Sequence, residues 1–127
     1  MPFDKEPEQL KQRIIDYAHN YKTIEGKPTL QIAQEMESFQ NMPLDAMNAF
    51  QTFIQATMEQ LDKITIPIAI YYGEKDDALY AQSAEMIYQH VHSFRKQKKG
   101  FENSKHLMTL GRDHEAIIKE MIEFLQI

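Results

Sequence analysis

The stretch "ITIPIAIYYGEKDDAL", residues 64–79, runs a nearly continuous apolar segment into a glycine and then an acidic turn. An isoleucine-rich run without polar alternation is the mark of a parallel strand covered on both faces. Pro67 is the one objection, because proline suits strand starts and edges. After the acidic turn, "ALYAQSAEMIYQHV", residues 78–91, places Ala84, Ile87, Tyr88 and Val91 on one face of a helix. "SFRKQKKGF", residues 93–101, then reads as a polar second strand, its lysines typical of an edge. "RDHEAIIKEMIEFLQI", residues 112–127, is a closing amphipathic helix through Ile117, Met121, Ile122 and Leu125. Strand, helix and strand in this order form a parallel crossover unit.

Upstream the chain changes character. "EQLKQRIIDYAHNYKTIEG" spaces Leu10, Ile14, Tyr17, Ala18 and Tyr21 as a helix, and Gly26 and Pro28 stop it. "TLQIAQEMESFQ", residues 29–40, follows with Thr29 as the expected N-cap and Ile32, Met36 and Phe39 on one face. Pro43 opens a third helix, whose stripe is Met47, Phe50, Ile54, Met58 and Leu61. The expected organisation is therefore α/β. Three helices occupy residues 1–63, and a strand–helix–strand–helix crossover unit occupies 64–127. Two strands make an incomplete sheet, so at least one strand edge should lie open and the chain reads as the end of something larger.

Composition limits the function classes. At 127 residues the chain is long enough for a buried core, with 43% hydrophobic and 26% charged residues, as in soluble globular proteins. A net charge of -5 argues against a nucleic-acid surface. The polar start, "MPFDKEPEQL", is unlike a signal peptide, and no run approaches the roughly 18 apolar residues of a spanning helix. The absence of cysteine removes disulfides, zinc–thiolate sites and a cysteine nucleophile, and suits the cytoplasm. No cofactor motif is present: the four glycines, at 26, 73, 100 and 111, are scattered rather than gathered in a phosphate loop. His90 and His92 sit at i and i+2, which do not share a helix face, so no metal site is expected. His19 and His114 read as surface residues. The basic run "RKQKK", residues 95–99, reads as a solvated edge.

The chemistry concentrates at two positions. In open α/β sheets reactive groups gather beyond the C-terminal ends of the strands. Asp76 follows the first strand and His106, in "SKHLMTL", follows the second. A crossover unit takes about thirty residues, so both side chains can rise on one sheet edge. A carboxylate beside an imidazole fixes its tautomer and stabilises the imidazolium that forms when the other nitrogen takes a proton.

These segments resemble a family. "GEKDDAL" resembles the G-x-x-D-x-x-[VIL] turn that carries the acid of α/β-hydrolases, and "SKHLMTL" resembles the S-G-H segment that carries their histidine. The helical half, with "EGK" and "QIAQEME", resembles the three-helix cap of bacterial carboxylesterases of the monoacylglycerol-lipase type. The resemblance implies a partial α/β-hydrolase, with a cap at 1–63 and the C-terminal part of the core at 64–127. It implies Asp76 as triad acid, with Asp77 the neighbouring alternative, and His106 as base. It also implies that Met47, Phe50 and Ile54 contact the acyl group. Lys105 stands where the family has glycine. The family's serine lies in G-x-S-x-G, and none of Ser38, Ser83, Ser93 and Ser104 lies in such a motif. Ser104 reads as a turn residue.

The resemblance thus implies hydrolysis of short-to-medium acyl esters by an intact parent, this chain lacking the nucleophile and being inactive alone. The alternative is a non-catalytic interaction module, which uses its open strand edge to form a homodimer or to pair with the missing N-terminal half.

Overall fold

The computed structural model describes residues 6–127; part of the polar N-terminal stretch lies outside them. The chain divides into two compact units, one ending at Gln60 and one spanning Leu61–Ile127.

The first unit is three helices: α1 (Pro7–Ile24), α2 (Thr29–Gln40) and α3 (Leu44–Met58). A proline at the start of α1 suits a position whose N–H has no helical partner. Gly26 adopts φ 79°, a left-handed conformation that glycine takes without penalty, and the chain reverses there. Ala18, Ile32 and Met36 form the buried cluster between α1 and α2, with Ile15 and Phe39 packed against it. Met47, on α3, is also buried. Glu35 accepts hydrogen bonds from Lys22, Lys27 and Gln31, an arrangement that ties α2 to the end of α1 and to the turn between them.

Two expectations need correction. Pro28, not Thr29, is the N-cap of α2; Thr29 is its first helical residue and caps nothing. The third helix ends at Met58, and Leu61 is buried instead in a separate 3-10 turn, Leu61–Lys63.

The second unit runs β1 (Ile68–Gly73), α4 (Ala78–His90), β2 (Lys96–Phe101), a 3-10 turn at Met108–Leu110, and α5 (His114–Leu125). β1 and β2 are parallel and in register from Ile68 opposite Lys96 to Gly73 opposite Phe101. The strand starts after Pro67, and Ile68 makes the first ladder bond, its N–H to the Arg95 carbonyl at 3.0 Å. Asp77 is the N-cap of α4, its carboxylate accepting the Leu79 N–H at 2.9 Å. Leu61, Ala84, Val91, Phe101 and Ile117 are the buried apolar residues of this unit. Val91, 1% exposed, contributes about 1.5–3 kcal/mol by its burial.

β1 is not enclosed on both faces as its composition suggests: Ile68 through Tyr72 are each only half-buried. Among the described residues the sheet has only two strands. The basic run is likewise not simply solvated. Arg95 stacks on Phe124 at 4.5 Å and donates to its carbonyl. Lys96 donates to the Tyr88 and Val91 carbonyls, Lys98 pairs with Glu85 and Lys99 with Glu120. These cations bind β2 to α4 and α5.

Candidate active site

The parallel register brings Gly73 and Phe101 side by side, so the loops after β1 and β2 leave the sheet at one edge. They are joined by backbone bonds: Glu74 N–H to the Phe101 carbonyl, and Lys75 N–H to the Ser104 carbonyl, both at 3.0 Å. Space for this approach comes from Gly73. A β-carbon there would stand 2.4 Å from the Ser104 carbonyl oxygen and 2.6 Å from that of Lys105. Lys105 does not adopt the positive φ that would favour glycine at its position.

Within this junction His106 Nδ1 lies 2.8 Å from Asp76 Oδ2. A carboxylate only accepts, so Nδ1 carries the proton. The other oxygen of Asp76 accepts the Asp77 N–H at 2.8 Å. The Asp76 side chain is 3% exposed and thus a buried carboxylate with both oxygens bonded, the condition under which such burial is tolerated. His106 is 36% exposed at the mouth of the site. The neighbouring aspartates therefore have different tasks: Asp76 meets the histidine, while Asp77 caps α4.

Beside the pair is a cavity of about 240 Å³, lined in part by Ile70, Tyr72, Tyr80, Ser83, Ile87 and Met108. Tyr80 lies against the imidazole, ring centroids 4.8 Å apart. Its role was not legible in the sequence, although its place four residues after Asp76, on the first turn of α4, was a usable signal. Asp113 was also missed: its carboxylate accepts from the Asn103 N–H at 2.8 Å, the Asn103 amide at 3.2 Å and the Ser104 hydroxyl at 3.0 Å. Desolvation alone would raise the Asp113 carboxyl, but these hydrogen bonds outweigh it and hold it below the ordinary aspartate value.

The remaining candidates have local partners. Ser104 is fully buried on Asp113, Ser93 donates to the Ile64 carbonyl and Ser38 to the Glu35 carbonyl. His90 donates to the Met86 carbonyl at 2.8 Å, and His114 to that of Gly111 at 3.0 Å. Met47, Phe50 and Ile54 are all on α3 in the first unit: Met47 is buried, Ile54 half-buried and Phe50 exposed. Among the described residues no three His, Cys, Asp or Glu side chains gather as a metal site, and no helix is long and apolar enough to cross a membrane.

No family model matches the chain. Curated proteins do. It is 33% identical over 122 residues to "Carboxylesterase" of Bacillus subtilis (strain 168), covering 96% of this chain and 50% of that protein. It is 26% identical over 87 residues to "Thermostable monoacylglycerol lipase" of Bacillus sp. (strain H-257), covering 68% of this chain and 35% of that protein. The chain thus spans about half, or less, of the length of the curated relatives it matches. In sequence it belongs with α/β-hydrolases of the carboxylesterase and lipase type, and corresponds to a part of such a protein.

Proposed function

We propose that the chain is the C-terminal part of a serine carboxylesterase acting on short-to-medium acyl esters, and that it supplies the acid and base of the triad. The observation that carries this reading is the 2.8 Å contact of His106 Nδ1 with a buried Asp76 at the C-terminal edge of a parallel strand pair. The likeness to a carboxylesterase over nearly the whole chain supports the ester as substrate.

The chemistry follows from the proton positions. Nδ1–H of His106 is held by Asp76, so Nε2 is the nitrogen that accepts the proton of a serine hydroxyl as its oxygen attacks the ester carbonyl. The imidazolium formed is stabilised by the Asp76 carboxylate. It returns that proton to the departing alcohol oxygen as the tetrahedral intermediate collapses to the acyl-enzyme. Water then attacks the acyl carbonyl, with His106 again removing and returning the proton. The serine comes from outside these 127 residues. Helices α1–α3 form the cap of that enzyme. Met47 packs its interior, and Phe50 and Ile54 meet the acyl chain.

The test is a chimaera in which this chain replaces the matching half of the Bacillus subtilis carboxylesterase. The chimaera should hydrolyse p-nitrophenyl butyrate, whereas the chain alone should not. A folded chimaera without turnover would contradict the proposal.

One observation favours a second reading. β1 pairs only with β2 among the described residues. The Ile68 and Glu74 N–H groups face β2, so by alternation those of Ala69, Tyr71 and Gly73 face the other edge. A non-catalytic module that pairs through this edge would sediment as a dimer at micromolar concentration; a monomer would argue against it.

A further inference from the structure

We propose that Asp113 is the positioning residue of His106, clamping the segment before the histidine so that its imidazole stays on Asp76. The inference rests on the reading of Asp76 and His106 as an acid–base pair.

Asp113 occupies the N-cap position of α5, where an aspartate ordinarily accepts the N–H of the second or third helical residue. It makes no such bond. Its carboxylate crosses instead to the loop after β2 and takes three donors there: the Asn103 N–H, the Asn103 amide and the Ser104 hydroxyl. Giving up the cap forgoes helix stabilisation, and the bonds gained all lie on the two residues that lead to His106.

Ser104 is held from both sides. Its hydroxyl is on Asp113, and its carbonyl accepts the Lys75 N–H from the loop that bears Asp76. It is 0% exposed, so no water competes for either bond. The histidine follows two residues later, too close for the chain between them to absorb a shift of Ser104. Releasing the Asp113 contact frees one side of the clamp, and the imidazole then samples positions away from Asp76.

The tautomer of His106 reports this directly, because the hydrogen bond to Asp76 decides which nitrogen carries the proton. Long-range proton–nitrogen NMR correlation on the 127-residue chain, at a pH where the imidazole is neutral, reads it for each variant. The wild-type chain should show Nδ1–H alone. Asp113→Asn keeps the shape but loses the charge and one acceptor oxygen, and should give a mixture with the Nε2–H form. Ser104→Ala should shift the balance the same way, and decides the matter if Asp113→Asn does not fold. Glu120→Ala, which removes the ion pair of α5 with Lys99 on β2, should leave the tautomer unchanged. A folded Asp113→Asn or Ser104→Ala chain that retains Nδ1–H alone would overturn the positioning role and leave the acid–base pair standing. A wild-type chain with Nε2–H would overturn the pair itself.

Discussion

The carbonyl oxygen of Ser104 lies in the space that a β-carbon on Gly73 would need, 2.4 Å from where it would stand. This is a backbone-on-backbone contact at the meeting of two loops, one bearing Asp76 and the other His106. Neither side can yield by turning a side chain. The approach of the acid to the base thus depends on Gly73, whose own carbonyl accepts the Asp76 N–H at 3.2 Å.

Gly73→Ala should therefore cost about 1–3 kcal/mol, the range for forcing atoms into filled space. Urea denaturation of the variant against the wild-type chain measures it. A change under about 0.3 kcal/mol, well below that range, would mean that the loops part easily and that glycine is not needed here.

The adjacent aspartates should separate cleanly. Asp77→Ala removes the N-cap of α4 and should lower stability by about 1 kcal/mol, while the His106 tautomer stays Nδ1–H. Asp76→Asn should keep the α4 cap and stop enforcing that tautomer. The reverse pattern would assign the acid to Asp77.

Acid should loosen the helical unit through Glu35. Its hydrogen bonds from Lys22, Lys27 and Gln31 hold its pKa down from 4.5 to about 2. A carboxyl lowered in the folded state contributes stability that is fully present above the unfolded value. The contribution is lost as pH falls through the folded one. The window is thus from about 4.5 down to about 2. Glu35→Gln should flatten the loss of far-UV circular dichroism across that window, and an identical acid transition in the variant would contradict the assignment.

Much of the architecture was legible because its signals are local. The apolar spacing of Ile32, Met36 and Phe39 marked α2, which runs Thr29–Gln40 and so begins one residue before a Thr29 cap would place it. The order of strand, helix, strand and helix also follows from composition, and the thirty positions between Asp76 and His106 match one crossover. What remained hidden depends on loops meeting in space. Nothing near Asp113 in the chain announces Ser104, nine positions earlier, as its partner. The basic run misled for a related reason. Lys98 and Lys99 look solvated in sequence, but their long side chains reach Glu85 and Glu120 on the neighbouring helices. Thr29 was a plausible cap by type, yet Pro28 already occupies the non-helical position before the first turn.

Everything proposed for the site turns on His106 as the base of a serine esterase. Its most direct test is single-turnover hydrolysis of p-nitrophenyl butyrate by the carboxylesterase chimaera, with and without His106→Ala. The variant should stay folded, bind the ester with little change and lose acylation by about 10³-fold or more. Acylation within about threefold of the parent chimaera, a barrier change below 1 kcal/mol, would show that the proton is taken elsewhere and that the Asp76–His106 contact is only structural.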